Sequence, residues 1–292
     1  MEALYPIRYT AAVPSKIQTG EKIDRMMKKR YFAIPILAIA LHFLLSNLLY
    51  FLVERLVLDV FHIPPQQFMK YSYWGEILIC AVLILVFFTL YKLLWRKEIS
   101  EPRTATNFKD VLGSLVVGFG ICGISGLWIM LAEQLPSLQK SVEAMNAGAE
   151  NIAGGNAFGT FMIAVIAAPV VEEILFRGIV LRSMRKFSPA WAAILMSSVL
   201  FGVYHLNIAQ AVYATLMGVA AGILYEKKRN LLFPILVHFA NNLITMLQGF
   251  APSEVNELIS IFILIMIAPA GYVVCRSLQQ DKRAEESVPF GA

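Results

Sequence analysis

Charged residues are scarce in this chain, and their scarcity excludes an ordinary soluble domain. Only 15% of the 292 residues are charged, whereas a soluble globular domain carries about 25%. Hydrophobic residues make up 58% of the chain, and its mean hydropathy is +0.65. Because such an excess of apolar residues is typical of chains that cross a bilayer repeatedly, the composition predicts a multi-pass membrane protein.

Cysteine is also rare, and the three cysteines lie far apart in apolar segments. Since no CxxC spacing is present, the sequence offers neither a disulfide framework nor a thiolate zinc site. The HExxH pattern of soluble zinc proteases is absent as well. The formal net charge of +5 comes from short basic clusters beside apolar segments, without the basic face that binds nucleic acid. We therefore expect no nucleic-acid partner.

What the sequence does contain is a series of eight apolar segments with helix-like lengths. Most of them reach the roughly 17–25 residues that a helix needs to cross the hydrocarbon core. The fifth and sixth segments are so close in sequence that they must form a tight helical hairpin. The predicted fold class is therefore all-α, a polytopic membrane protein with about eight transmembrane helices that enclose an intramembrane catalytic cavity. The segments are 31–53, 74–95, 111–133, 158–182, 189–206, 209–225, 231–250 and 256–275.

Basic residues flank alternate ends of these segments and predict the topology. Basic clusters precede the first segment and follow the second, fourth, sixth and eighth. Because cytoplasmic loops carry an excess of Lys and Arg, both termini are expected in the cytoplasm, with the protein in the plasma membrane if its source is bacterial. The predicted parts are a cytoplasmic N-terminal segment (1–30), a membrane domain (31–275) and a cytoplasmic tail (276–292). The Gly-rich stretch 143–157 is predicted to be a loop on the opposite side.

Three ionisable residues interrupt the fourth segment. Glu172, Glu173 and Arg177 form an EExxxR cluster, although each charge at a helix centre costs about 2.5–3.5 kcal/mol on insertion scales. Such residues mark a functional site when neighbouring helices supply partners. Glu173 and Arg177 are four residues apart with the acid first, a spacing that favours an ion pair within the helix. Glu172 points about 100° away from Glu173, so we interpret the pair as structural and Glu172 as the carboxylate available for chemistry.

Partners for these charges occur in two later segments. His205 ends the fifth segment, with Phe201 one turn earlier on the same face. His238 and Asn242 are one turn apart in the seventh segment. A carboxylate and an imidazole can deprotonate water, and a second imidazole with a carboxamide can stabilise an oxyanion. The same glutamate and histidines can instead hold zinc, which would activate a bound water. From the residues alone, both mechanisms stay open.

These three motifs resemble those of a known family. EExxxR in the fourth segment, FxxxH (Phe201 and His205) in the fifth and HxxxN (His238 and Asn242) in the seventh follow the order of the CPBP (Abi) family. That family includes the type II CAAX prenyl endopeptidases and bacteriocin-processing relatives, and it has an eight-helix membrane fold. The resemblance covers about residues 158–250, since the first three segments match only as apolar helices.

The resemblance implies an intramembrane endopeptidase that hydrolyses a peptide bond of a membrane-associated protein or peptide. It implies that Glu172 activates water with the help of His205, and that His238 and Asn242 stabilise the oxyanion. The residues implied to support these four are Glu173, Arg177 and Phe201.

Members of the family have been described both as metalloproteases and as metal-independent glutamate proteases. We favour the second description for this chain, so that no cofactor is expected. Zinc remains the alternative, and its ligands would be Glu172, His205 and His238. Two functions of other classes also stay open. One is a non-proteolytic membrane scaffold or regulator, and the other is a proton-coupled transporter, because buried Glu and His also form proton relays.

The predicted topology places one condition on this site. Glu172 and His238 lie about seven to ten residues from the cytoplasmic ends of their segments, whereas His205 lies near the far end of its own. For straight, upright helices these depths differ by roughly 10 Å. The fifth segment must therefore be tilted, displaced inward or re-entrant if His205 is to join the site.

Overall fold

Helices account for all the regular secondary structure in the part of the chain that the structure describes. The computed structural model describes residues 15–98, 106–153 and 156–286, and within them the side chains of residues 30–64, 72–98, 106–147 and 156–279. The outer ends of the predicted N-terminal segment and tail, residues 1–14 and 287–292, lie outside the described residues. The helices, numbered in chain order, are α1 (Ser15–Arg55, continued by the π-helical turn Leu56–Val60), α2 (Pro65–Leu94), α3 (Phe108–Glu133), α4 (Gln139–Ala153), α5 (residues 157–184), α6 (Ala190–Tyr204), α7 (Ile208–Lys228), α8 (Leu232–Phe250) and α9 (Ser253–Glu286).

Five of the described helices contain stretches long and apolar enough to cross a membrane, and α6 is a shorter apolar helix. The outward faces of the long helices carry large apolar side chains, as lipid-facing surfaces do: Leu37 and Leu85 are 65% and 67% exposed. The all-α, multi-pass membrane fold is thus confirmed, whereas the count of eight spans stays a prediction. The five stretches are Arg30–Val60, Ser72–Leu94, Phe108–Glu133, Ile208–Lys228 and Ser253–Gln279.

Helix α4 lies where the sequence predicts a loop. The stretch 143–157 is predicted to be a loop, but helix α4 runs through most of it and ends at Ala153. Val142 near the start of α4 is buried in a cluster with Ala132 and Ala209, which belong to α3 and α7. The loop prediction is wrong because the stretch is rich in alanine, the strongest helix former, which offsets the helix-weakening effect of a single internal glycine.

Glycines bring α3 close to two neighbouring helices. A Cβ atom added at Gly118 would overlap the carbonyl oxygen of Val237 in α8, and one added at Gly123 would overlap the carbonyl oxygen of Ile263 in α9. Helices in lipid associate through such small residues, because the bilayer offers no hydrophobic driving force for burying apolar side chains against each other. The Gly118 contact brings α3 close to α8, the helix that carries His238.

We expect Gly118→Val to lower the stability of the protein. The new side chain would meet the backbone of α8, and overpacking of this kind costs roughly 1–3 kcal/mol. The measurement is the melting temperature of the purified protein in detergent. Gly126→Val on the same helix is the matched control, because no atom lies within 4 Å of a Cβ built there. Equal melting temperatures for the two variants would contradict the close approach of α3 and α8.

Helices α6 and α7 form the predicted hairpin, with His205, Leu206 and Asn207 between them. Leu206 adopts a positive φ of 55°, and the side chain of Asn207 accepts a hydrogen bond from the Gln210 N–H at 3.0 Å to cap α7. Helix α6 has 15 residues and is therefore only about 22 Å long, shorter than the roughly 30 Å hydrocarbon core. Because α6 is short, His205 at its end can lie inside the membrane.

Helix α5 is continuous, but two π-helical stretches interrupt its α-helical winding. The α-helical segment Ala168–Glu173 lies between two π-helical stretches, Phe161–Ala167 and Ile174–Leu181. Pro169 in the middle segment cannot donate a backbone hydrogen bond, which is consistent with irregular winding at this point. π-Helical turns inside α-helices are frequent at functional sites, and here they flank the segment that carries both glutamates.

Candidate active site

Arg177 and Glu173 form the predicted ion pair within α5. The Arg177 Nη1 donates to Glu173 Oε1 at 2.8 Å, and both side chains are almost completely buried. The second guanidinium nitrogen, Nη2, donates to the backbone oxygen of Gly218 in α7 at 3.0 Å. The guanidinium carbon also lies 4.8 Å from the centre of the Phe201 ring in α6, a distance typical of cation–π contact. Arg177 therefore connects α5 to both helices of the α6–α7 hairpin.

His238 lies between the two glutamates. Its Nδ1 is 3.1 Å from Glu173 Oε1, and its Nε2 is 3.7 Å from Glu172 Oε2. The first distance is a hydrogen bond, whereas the second is an electrostatic contact that is too long for one. Since an ionised carboxylate can only accept, we assign the Nδ1 proton to His238 as the donor to Glu173. Glu173 Oε1 thus receives hydrogen bonds from two helices.

Glu172 and Glu173 differ in how accessible their carboxylate groups are to other molecules. The Glu173 side chain is fully buried and is held by Arg177 and His238. The side chain of Glu172 is 16% exposed, and its Oε2 atom is buried without a hydrogen-bond donor among the described residues. Glu173 Oε2 is likewise buried without a hydrogen-bond donor among the described residues. Because only the Glu172 side chain is partly exposed, Glu172 is the carboxylate of the pair that another molecule can reach.

Asn242 lies one turn beyond His238 on α8 and contacts α5. Its Nδ2 donates to the backbone oxygen of Ala164 at 2.9 Å, in the first π-helical stretch of α5. Its Oδ1 accepts a hydrogen bond from Asn241 Nδ2 at 3.1 Å. Because a carboxamide nitrogen carries two hydrogens, one N–H of Asn242 stays available after the bond to Ala164 is made.

His205 joins the cluster through Phe201. The centres of the His205 and Phe201 rings are 4.9 Å apart, and the Phe201 ring is 5.7 Å from that of His238. His205 Nδ1 lies 2.8 Å from the backbone oxygen of Phe201. Because that oxygen can only accept, Nδ1 carries the proton, and in the neutral ring Nε2 is then a base. Within the described residues, no hydrogen bond or ion pair joins His205 directly to Glu172.

Phe201 proves to be the packing centre of the site. Its ring is fully buried and contacts Phe176, Arg177 and both histidine rings. The sequence motif FxxxH predicts that Phe201 and His205 share a helix face, but it does not reveal that the same ring contacts α5 and α8.

Tyr204 and His42 form a contact that the sequence did not assign to the site. The Tyr204 hydroxyl and His42 Nδ1 are 3.1 Å apart, which links α6 to α1 beside the His205 ring. The adjacency of Tyr204 to His205 in the sequence is the one signal that could have identified this contact.

The described residues do not bring together three or more His, Cys, Asp or Glu side chains in a group able to hold a metal ion. In particular, Glu172 and His238 approach each other, while His205 has its polar contact with Phe201. The three ligands proposed for zinc therefore do not form a metal site in this arrangement of side chains.

Comparison with known proteins identifies the region that carries these residues. Residues 154–244 match the family described as type II CAAX prenyl endopeptidase Rce1-like. The chain is also 29% identical over 91 residues to the "Putative membrane peptidase YdiL" of Bacillus subtilis (strain 168). That alignment covers 31% of this chain and 37% of the relative, so the chain matches little more than a third of the relative's length. No solved structure matches the chain. Residues 154–244, which contain all three motifs, therefore match the family that the motif resemblance predicts.

Proposed function

We propose that this protein is an intramembrane endopeptidase in which Glu172 acts as the general base. The observation that carries the proposal is the partial exposure of the Glu172 side chain, 16% against 0% for Glu173, while its Oε2 faces His238 Nε2 at 3.7 Å. This carboxylate lies within the region that matches a family of endopeptidases. A partly exposed carboxylate inside a membrane domain is suited to accept a proton from water.

The proposed reaction is hydrolysis of a peptide bond by water. Glu172 takes a proton from water as the water oxygen bonds to the carbonyl carbon, and the electrons of the C=O double bond move to the carbonyl oxygen. The tetrahedral intermediate then collapses and breaks the C–N bond, while the proton held by Glu172 passes to the departing nitrogen. His205, whose Nδ1 binds the Phe201 backbone oxygen, assists in holding the water through Nε2.

His238 and Asn242 are proposed to stabilise the oxyanion. Because His238 uses Nδ1–H to bind Glu173, its Nε2 can donate only when the ring carries both protons. Both glutamates lie within 4 Å of the ring. Asn242 contributes the N–H that does not bind Ala164 O. Removing one oxyanion donor typically costs about 100- to 1,000-fold in turnover.

The mechanism proposed for this chain uses no metal, because the donor set expected for zinc is not assembled among the described residues. Metal analysis of the purified, active protein tests this part of the proposal. Stoichiometric zinc that is lost in parallel with activity on chelation would contradict it.

The proposed substrate is a membrane-associated protein or peptide that is cleaved near the cytoplasmic membrane surface. Glu172 and His238 lie on the halves of α5 and α8 nearest the helix ends with basic residues, the side proposed to face the cytoplasm. A site at this depth is reached from the bilayer, so the lipid bilayer itself is part of the environment in which the substrate binds.

Comparative peptidomics of membranes tests the proposed activity. We expect membranes with the wild-type protein to contain product peptides that are missing when Glu172→Ala replaces it. Glu254→Ala, a change at an exposed carboxylate in the first turn of α9, is the control and should leave the products unchanged. Identical peptide profiles for wild type and Glu172→Ala would refute the proposal.

A scaffold is the second candidate, and one observation favours it. The buried network of Glu173, Arg177 and His238 joins α5, α7 and α8 through hydrogen bonds that need no substrate. A scaffold of this kind predicts that Glu172→Gln leaves the biological role of the protein intact and that no product peptide is found.

A further inference from the structure

A cavity of about 320 Å³ lies at the ends of four helices, apart from the candidate active site. Its walls come from the N-terminal ends of α3 and α8, the C-terminal end of α7 and the C-terminal half of α9. The described lining includes neither the glutamates of α5 nor the histidines of α6 and α8. The cavity is therefore a separate feature of the molecule.

Positive charge dominates the polar part of this cavity. Among the described residues, its lining contains one carboxylate, Asp110, and four cations, Lys109, Lys227, Lys228 and Arg276. Lys228 Nζ pairs with Asp110 Oδ2 at 2.6 Å. Lys109 and Arg276 are both exposed and form no ion pair with any described residue. The cavity thus complements an anion.

The rest of the cavity is apolar and leads to the outer surface of α9. Leu224 and Phe233 are buried in its wall. Tyr272, which also lines the cavity, is 66% exposed. Ile265 and Leu258 follow at intervals of seven residues on the same face of α9 and are 61% and 67% exposed. An apolar stripe therefore runs from the basic cavity along the lipid-facing side of the helix.

The cavity lies at the helix ends that are expected at the cytoplasmic membrane interface. The helix ends that form it carry the basic clusters around residues 227–229 and 276, which are expected on the cytoplasmic side. The cytoplasmic leaflet is the one that contains anionic lipids, and basic pockets between helices at this level bind their headgroups.

We propose that this cavity binds an anionic glycerophospholipid, with its phosphate at Lys109 and Arg276 and its acyl chains along the Tyr272, Ile265 and Leu258 face of α9. The basic residues account for the preference for an anion, and the apolar stripe accounts for a lipid in place of a free phosphate. The site is independent of the peptidase activity proposed above.

Native mass spectrometry of the delipidated full-length protein tests this site. We expect phosphatidylglycerol to bind at least about tenfold more tightly than phosphatidylcholine, which has no net charge. In Lys109→Gln/Arg276→Gln, phosphatidylglycerol should bind about thirtyfold more weakly, since each basic residue near an anionic headgroup contributes roughly a factor of five. The matched control is Lys92→Gln/Arg96→Gln, which removes two exposed cations outside the cavity and should change binding by less than twofold.

A second pair of variants tests the cavity by filling it. A Cβ at Gly113 would meet only Val273 at ordinary contact distance, 3.5 Å, so Gly113→Leu fits the helix and places its side chain in the cavity. It should weaken phosphatidylglycerol binding, whereas Gly126→Leu on the same helix should not. Three results would overturn the proposal: equal binding of the two lipids, equal loss in the cavity and control variants, or displacement of phosphatidylglycerol by millimolar inorganic phosphate.

Discussion

Glu172→Gln is expected to give a folded protein that no longer cleaves its substrate. Glutamine keeps the shape of the side chain but cannot accept a proton from water, and loss of a general base typically costs about 100- to 10,000-fold in rate. Stability should be unchanged, because Glu172 Oε2 has no hydrogen bond to lose among the described residues. The measurement is the cleavage rate of a product-yielding peptide in reconstituted vesicles, together with the melting temperature.

Comparison with the neighbouring Glu173 makes this prediction specific to Glu172. Glu173→Gln changes a residue of the same type one position along α5, but it removes the charge that pairs with the buried Arg177. We therefore expect Glu173→Gln to lower the melting temperature, whereas Glu172→Gln lowers the rate alone. Glu172→Gln with wild-type cleavage, or with a melting temperature as low as that of Glu173→Gln, would show that the roles of the two glutamates are assigned wrongly.

Arg177→Met is expected to cause the largest loss of stability. It leaves Glu173 buried without its cation and leaves Gly218 O without the guanidinium donor. Breaking a buried ion pair by removing one partner costs about 3–5 kcal/mol, since the remaining charge stays desolvated. The measurement is the midpoint of thermal or denaturant unfolding in detergent micelles.

Two further variants separate this effect from a general loss of positive charge. Lys186→Met removes a cation from a partly exposed pair with Glu98 and should shift the midpoint little, because exposed pairs contribute about 0–1 kcal/mol. Adding Glu173→Gln to Arg177→Met removes the uncompensated charge and should recover part of the lost stability. An Arg177→Met protein that unfolds like Lys186→Met would contradict the buried network described here.

Contacts between residues of one helix could be predicted from their spacing in the sequence. Glu173 and Arg177 are four residues apart, and their ion pair follows from the helical repeat alone. The short separation of α6 and α7 likewise predicts the hairpin, since three residues leave no room for another connection. The loop expected at 143–157 is the counter-example, because contacts of Val142 with α3 and α7 stabilise a helix there that its glycine content does not suggest.

For contacts between helices, the sequence predicts which residues take part but not which residue each of them contacts. The motifs bring Glu173, His238 and Asn242 together in one hypothesis, yet they do not show that His238 Nδ1 binds Glu173 or that Asn242 binds the backbone of α5. Both contacts matter chemically, because each uses an N–H group that could otherwise donate a hydrogen bond to the oxyanion. The role of Phe201 as the ring shared by His205 and His238 is of the same kind.

The sequence by itself determined the membrane class and the helical fold, because composition and helical periodicity are properties of the chain, and it predicted the residues proposed to carry the chemistry. It also separated Glu172 from the Glu173–Arg177 pair, since two successive side chains on a helix point about 100° apart. The tertiary structure decided which of these residues touch. Glu173 and His238 are 65 positions apart, and local spacing cannot specify which distant helices pack against one another.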